Sequence, residues 1–346
     1  MQNNNRFCSV NYIIRLVTHN FSVLKITSRR YSKSCLSRQA LTAFFIFFLF
    51  QKVALSAPLV MGVLYPDVPE PYQDIFLNVI SGLEGETRSR VVQYVVEKDF
   101  DVHAIQDWVK EQKIDVLVAL GRRGLNAATQ ATDKIPVVSG ALLLNPGAEP
   151  GNVIGISLAA DPKALFSRLL SLVPRIKQIY VVYNPAENAW IMELARRAAA
   201  ELNIKLTGFT ADSLREAVFH YNEILHMVDP KQDALWLPID STTVNDQVVL
   251  PLILREAWNQ DLVVFSSNPA HASKGALFSV FPDDEALGHS LADLAVEADG
   301  PDGTVKSDVY PLKDLKFAIN RRTADHLGLG FSTQRQQKFD FVFPAR

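Results

Sequence analysis

The sequence predicts an α/β protein in which one plan is used twice, giving two Rossmann-like halves with parallel sheets. Three observations lead there. Beyond Pro58, short apolar runs of β type alternate with longer amphipathic stretches. The resulting βα units recur at roughly 20 to 25 residues, a spacing that right-handed crossovers convert into helices on both faces of one sheet. The alternation halts at a Pro/Gly/Asn-rich stretch, residues 145–152, and then starts afresh. A length of 346 residues fits two domains of ordinary size.

In the first half, strand Val60–Tyr65 leads to a helix over Tyr72–Leu83 that ends at Gly85. Strand Val91–Val96 leads to a helix over His103–Gln112. Asp115–Leu120 (DVLVAL) lacks polar alternation and reads as a strand buried on both faces. The helix Gly124–Thr132 starts just beyond its carboxyl end, and Ile135–Ser139 completes the set. The stretch 145–152 is the expected first crossing between halves, and Val153–Leu158 resumes as a strand.

The second half repeats the pattern with helix Pro162–Leu172, strand Gln178–Tyr183, helix Asn188–Leu202, strand Lys205–Phe209 and helix Ser213–Met227. Strand Ala234–Leu237, helix Val244–Asn259 and strand Leu262–Phe265 finish it. Asp161-Pro162 and Asp212-Ser213 mark helix starts, because a short acceptor side chain satisfies N–H groups that a first turn leaves unpaired. Ala276–Phe281 is one more apolar run. The helix Asp283–Ala298 has no strand partner in the second half, so a second crossing is expected near Phe281. Strand Lys316–Asn320 and the short helix Arg321–Leu327, closed by Gly328, are expected to rejoin the first half. The expected organisation is a basic leader, 1–57; a first lobe from 58–156 plus 282–346; and a second lobe, 157–281.

The leader holds eight Lys/Arg and no Asp or Glu, whereas 58–346 carries 27 basic against 37 acidic residues, a net of −10. An acidic body of this kind repels phosphate backbones, so nucleic acid is not an expected partner. Leu41–Phe50 (LTAFFIFFLF) is apolar, follows Arg38 and precedes Val53-Ala54-Leu55-Ser56-Ala57, the order of a secretory signal with cleavage after Ser56. An uncleaved anchor is the alternative, although Gln51 and Lys52 interrupt the run short of the ~20 residues a spanning helix needs. Residues 1–37 are long for the charged region of a signal; they resemble a transit segment or reflect an upstream start. The expected location is the periplasm, free or held by the leader. Both cysteines, Cys8 and Cys35, lie in the leader, so the body has no thiol or Cys-ligated metal.

Ligands in open α/β sheets bind outside the carboxyl ends of strands, which directs attention to the loops there. Gly121-Arg122-Arg123-Gly124 opens a helix whose N-terminus favours anions, and Arg122 and Arg123 could grip a carboxylate or be solvated helix-start charge. Asp240, after strand Ala234–Leu237, could accept from a ligand amine or cap the next helix. Asn184, Glu187 and Asn188 could contact ligand or open their helix. Tyr65 and Phe265 could supply aromatic cleft walls. The candidate set is therefore Tyr65, Arg122, Arg123, Gly124, Asn184, Glu187, Asp240 and Phe265. No catalytic residue, cofactor or metal is expected. His220 and His226 are six apart, wrong for one helix face, and GxSxG, Walker A and GxGxxG patterns are absent.

Ile135-Pro136-Val137-Val138, Gly151-Asn152-Val153-Ile154-Gly155, Leu172-Val173-Pro174, Tyr183-Asn184-Pro185-Ala186-Glu187, Asp240, Lys274-Gly275-Ala276-Leu277, Leu287-Gly288 and Ile319-Asn320 occur in this order. Together they resemble ABC-transporter substrate-binding proteins of the tryptophan/phenylalanine-binding type, over most of 58–330. The resemblance implies a type I periplasmic-binding-protein fold: two lobes that close on a small ligand, an amino acid or a similar polar or aromatic molecule. It also implies delivery to an ABC permease in the inner membrane and a monomeric receptor. Relatives hold the ligand carboxylate with a Gly-Thr-Pro/Ser-Ala loop where this chain has Gly121-Arg122-Arg123-Gly124, while the amine-binding acidic position is kept as Asp240. On that reading Asp240→Ala weakens an amine-bearing ligand and spares the fold. Two other readings are a sensing module of the same fold that signals to a partner protein, and a two-domain α/β transferase.

Overall fold

Strand β1 (Val60–Pro66) has six of its seven residues buried, as an unbroken apolar run flanked by strands and covered by helices requires. The structure, a computed structural model, describes residues 58–86, 89–150, 152–300, 308–330 and 339–344. The leader and its expected signal, Gly151 and the end of the chain lie outside the described residues.

After β1 come α1 (Tyr72–Glu86), β2 (Arg90–Val96), α2 (Val102–Gln112), β3 (Val116–Leu120), α3 (Gly121–Ala131), β4 (Val137–Leu142) and β5 (Val153–Ala160). All five strands run parallel in the order β2-β1-β3-β4-β5, and β11 (Val309–Leu312) adds to β5 in the same sense. The second lobe starts with α4 (Pro162–Leu172) and continues through β6 (Gln178–Tyr183), α5 (Pro185–Glu201), β7 (Lys205–Thr210), α6 (Leu214–Met227) and β8 (Asp233–Leu237). It goes on through α7 (Val249–Gln260), β9 (Val263–Ser266), the short α8 (His271–Lys274) and β10 (Phe278–Pro282). Its order β7-β6-β8-β9-β10 repeats that of the first sheet. The duplicated plan is thus visible in strand order as well as in sequence spacing.

Caps start the helices where short acceptors stand. Asp101 accepts from the His103 N–H at 2.8 Å, and Asp161 from the Lys163 N–H at 2.9 Å with Pro162 in the first turn. Helix α9 (Asp284–Ala298) returns to the first lobe and crosses α1 closely. Gly82 and Gly288 make that crossing possible, since a Cβ on either would strike the other helix's backbone, at Glu285 and Val79 respectively.

Two sequence expectations change. The first crossing comes at Ala160–Asp161, after all of β5 has paired with β4 and β11, and not within 145–158. The late strand β12 (Leu315–Asn320) and helix α10 (Arg321–His326) do not rejoin the first lobe. β12 pairs antiparallel with β10, and β13 (Phe341–Phe343) adds parallel to β12. The physical reason is an open edge: β10 ends the second sheet, and Ile319 packs into the second lobe's core beside Phe278. The Arg168 guanidinium, 4.1 Å from the Phe317 ring centre, fastens α4 to the returning strand.

The chain therefore passes between lobes three times, after β5, after β10 and after β11. The three passages are laced side by side. The Asp161 N–H donates to the Leu312 carbonyl at 2.8 Å, the Asp283 N–H to the Asp314 carbonyl at 2.9 Å, and Lys316 pairs with Asp283 at 2.9 Å.

Candidate functional site

In each sheet the chain order reverses between neighbouring strands, β1 and β3 in the first lobe, β6 and β8 in the second, and the crevice beyond their carboxyl ends is where ligands sit. A cavity of about 300 Å³ lies between the lobes, at the reversal point of the second sheet and, in the first lobe, beside β5 and the segment after β4. From the first lobe Leu143, Asn145, Ser157, Ala159 and Ala160 line it; from the second come Glu187, Asn188, Trp190, Ile191, Trp236 and the Pro238-Ile239 turn with Ser267. A second cavity of about 160 Å³ shares Leu143, Ala160, Ile239 and Ser267 with it. This one is bounded by Leu158, Val280, Phe281, Leu312 and Leu315, at the three passages. The cleft thus has a polar part near the helix starts and an apolar end at the hinge.

Trp236 forms the rigid wall. Its ring is almost fully buried at the end of β8, packs edge-on against Phe166 at 5.4 Å and donates from Nε1 to Ser267 Oγ at 2.9 Å. Trp190 is a different kind of contact. It stands on α5 of the second lobe, packs against the first lobe's core and donates from Nε1 to Asn145 Oδ1 across the cleft at 3.0 Å. Asn145 belongs to the loop after β4, and Arg122 anchors that loop through Glu149 at 2.8 Å and the Leu143 carbonyl at 3.3 Å.

Asp240 is the hub behind the second-lobe wall. The residue is 4 % exposed. Oδ1 accepts from the Thr242 and Thr243 N–H groups at 3.0 and 2.9 Å. Oδ2 accepts from the Asn184 N–H at 2.6 Å and from Asn188 Nδ2 at 3.1 Å. Four donors of the chain itself saturate this carboxylate, so the ligand amine expected from the sequence finds no open lone pair there. Asn184 caps α5, accepting from the Ala186 N–H at 2.9 Å. The sequence placed that helix's start at Asn188; it starts at Pro185, which puts Glu187 in the first turn and Asn188 against Asp240.

The remaining candidates are structural. Helix α3 begins directly at Gly121, three residues earlier than expected, and its first turn absorbs both arginines. Arg123 donates to the carbonyls of Asp67 at 3.0 Å and Val96 at 3.3 Å, tying the ends of β1 and β2. A Cβ on Gly124 would collide with the Leu64 carbonyl, so this glycine serves helix-on-strand packing. Tyr65 is buried in the first lobe's core. Phe265 is fully buried in the second's, stacked on Phe278 at 5.2 Å. Of the eight candidates, Glu187 lines the cavity, with Asn184 and Asp240 immediately behind it.

Sequence reasoning passed over Trp236, Trp190, Asn145 and Ser157. Attention confined to loops misses a strand's last residues, which is where Trp236 lies. A signal existed for Trp190: Glu187, Trp190 and Ile191 are spaced i, i+3, i+4 and share one helix face. Also unforeseen is a chain of contacts from Ser266 Oγ to His271 Nδ1 at 2.8 Å, and from His271 Nε2 to Asp246 at 3.0 Å. It resembles a nucleophile relay, but Ser266 is fully buried and Asp246 is also paired with Lys274 at 2.6 Å. It fastens α8 to the end of β9. Burial lowers the His271 pKa, against the raising effect of Asp246.

Among the described residues, no helix is long and apolar enough to cross a membrane and no group of His, Cys, Asp or Glu is arranged to hold a metal ion. Comparison with known proteins gives three results. Residues 93–334 match the family described as ABC transporter substrate binding protein. A curated tyrosine-binding protein of Clostridioides difficile (strain R20291) is 25% identical over 232 residues, 63% of this chain and 64% of that protein. The match therefore spans just under two thirds of the relative's length. Among solved structures, a ligand-free, open substrate-binding protein with adhesive properties from Clostridium difficile aligns with a TM-score of 0.55 at 19% identity, covering 82% of this chain and 99% of that one. An ABC domain in complex with L-Trp from Streptococcus pneumonia aligns at 21% identity and a TM-score of 0.48, over 83% of this chain and 100% of that one.

Proposed function

We propose, on the premise that this chain belongs to the ABC transporter substrate-binding protein family and has its two-lobed type I periplasmic-binding fold, that it closes on one small solute between its lobes and hands it to a membrane permease. The observation that carries this reading is the cavity of about 300 Å³ with walls from both lobes, bridged by the Trp190–Asn145 hydrogen bond. A cavity of this size is in the range of small-molecule sites, and a site shared by two lobes couples occupancy to closure. Members of the family bind their ligand and do not transform it.

The three laced passages serve as the hinge, because a few extended residues at element ends can absorb the change of backbone angles that closure needs. Desolvating an apolar group against Trp236 and the hinge-side cavity supplies binding energy, while Asn145, Ser157 and Glu187 orient the polar end. The tyrosine named for the curated relative supports a ligand of aromatic amino-acid size. Export by the basic leader, residence in the periplasm, a monomeric state and an inner-membrane ABC permease as partner complete the proposal.

The test is a thermal-shift screen of the full chain against amino acids, amines, dicarboxylates, purines and sugars. A ligand present at 100 times its Kd adds about 2.7 kcal/mol of stability. A shift confined to one chemical class supports the reading. A folded protein that responds to none of them overturns it.

A further inference from the structure

We infer that the cleft receives the carboxylate of its solute on uncharged donors from both lobes: the Asn145 amide and the Ser157 hydroxyl of the first, and the Ser267 hydroxyl of the second. The inference rests on the reading of the cleft as the ligand site and assigns the residues that hold one end of the ligand.

All three side chains line the cavity of about 300 Å³, and in each of them donors of the chain itself have taken the oxygen. Ser157 is fully buried, and its Oγ accepts from the Leu144 N–H at 3.0 Å and the Ala159 N–H at 3.3 Å. Ser267 is buried too, and its Oγ accepts from Trp236 Nε1 at 2.9 Å. Asn145 must turn Oδ1 toward Trp190, because an indole N–H only donates, and this leaves Nδ2 to donate elsewhere. What each group still offers is a proton, and no acceptor among the described residues takes one of them. Buried polar groups ordinarily find partners, and here the cavity is the place left for one.

A wall of donors whose oxygens are occupied selects a group that only accepts. A carboxylate is such a group: it has two acceptor oxygens and no proton to set against the wall, and its charge strengthens each bond. The described residues lining this cavity and the hinge-side one include no Lys, Arg or His, so neutral donors carry the contact. An amino acid brings its own ammonium, so the exposed Glu187 at the start of α5 meets a solute without net charge. Placement agrees with this role. Leu144, which holds the Ser157 oxygen, directly precedes Asn145 and so sets the two first-lobe donors side by side. Ser267 lines both cavities, where the polar part of the cleft meets the apolar end. A carboxylate bonded to both groups ties the lobes together and leaves its apolar body to the hinge side.

Calorimetric titration of the full chain with L-phenylalanine, L-tyrosine, L-tryptophan and L-leucine, and with the primary amide of each, tests this. At least one acid is expected to bind, roughly tenfold or more tighter than its own amide, whose N–H₂ group meets donors. Asn145→Asp keeps an oxygen for Trp190 Nε1 but replaces the donor with a negative charge. It is expected to weaken the acid about tenfold or more and the amide far less, whereas a purely structural role for Asn145 moves neither. Ser157→Ala is expected to weaken the acid in protein that still melts cooperatively; if that variant does not fold, Asn145→Asp decides alone. An amide that binds as tightly as its acid, or Asn145→Asp with unchanged affinity for the acid, overturns the inference and leaves the solute-binding reading intact. Binding of an amine, purine or sugar with none of these acids does the same. No binding by any class overturns both.

Discussion

The backbone N–H of Asn184 donates to Asp240 Oδ2 at 2.6 Å, joining the loops after β6 and β8 at the point where the second sheet's chain order reverses. That bond occupies the crevice in which an open α/β sheet usually holds its ligand. It turns Asp240 from an expected ligand contact into part of the scaffold. Asp240→Ala is therefore expected to destabilise the fold, by roughly 3 kcal/mol or more, because four donors lose a buried charged acceptor together. Asp240→Asn keeps one acceptor and costs less. Denaturant midpoints at unchanged m-value measure both. A normal midpoint for the alanine variant would return Asp240 to the ligand site.

The bond between Trp190 and Asn145 is expected to hold the lobes together in the absence of ligand. One neutral hydrogen bond is worth about 1 kcal/mol, so Asn145→Ala shifts the closed-to-open ratio roughly fivefold. Small-angle scattering should record a larger radius of gyration for the variant. Trp190→Phe, which keeps a ring but loses the donor, is expected to behave in the same way.

Stability should fall in mild acid. Burial holds the His271 pKa below its ordinary 6.5, with Ser266 on Nδ1 and Asp246 on Nε2, and Lys274 paired to that same Asp246. The unfolded chain takes up a proton at about 6.5 and the folded chain resists it. Stability from this residue is thus complete above pH 6.5 and declines as pH falls toward the lowered folded pKa, by at most about 1.4 kcal/mol per pH unit. Asp246, held below its ordinary 3.8 first by the hydrogen bond from Lys274, adds a further loss only below that value. Urea midpoints measured from pH 7.5 down should show the first decline in the wild type and a flatter profile in His271→Gln.

The α1–α9 crossing should tolerate no side chain. Gly288→Val is expected to cost about 3 kcal/mol, the upper range for overpacking, since the added carbons meet the Val79 carbonyl and not a movable side chain. Thermal unfolding of the variant checks this, and an unchanged midpoint would mean that the helices slide apart at little cost.

Much of the architecture was legible in the chain itself. Burial on both faces makes a parallel strand read as an unbroken apolar run, so Val116–Leu120 and Gln178–Tyr183 were located to within a residue. Asp161 before Pro162 marked the start of α4, because capping is chemistry between neighbours in sequence. The duplicated plan followed from the spacing of such local signals. The family resemblance drew on the same kind of local motif, and the family match over residues 93–334 agrees with it.

What the chain could not disclose depends on partners distant in sequence. Nothing local to Leu315–Asn320 says which sheet has a free edge, and pairing with β10 decided it. A charged residue after a strand looks the same whether it faces ligand or its own backbone. Asp240 lies 56 residues from Asn184, Arg123 lies 56 from Asp67, and only folding brought those donors and acceptors together. Trp190 and Asn145 stand 45 residues apart and meet because the lobes face each other. Local sequence determined the elements, since dihedral preference, capping and hydrophobic period act over a few residues; the tertiary structure decided which polar groups remain open to a ligand, since each of them is satisfied or left free by groups far along the chain.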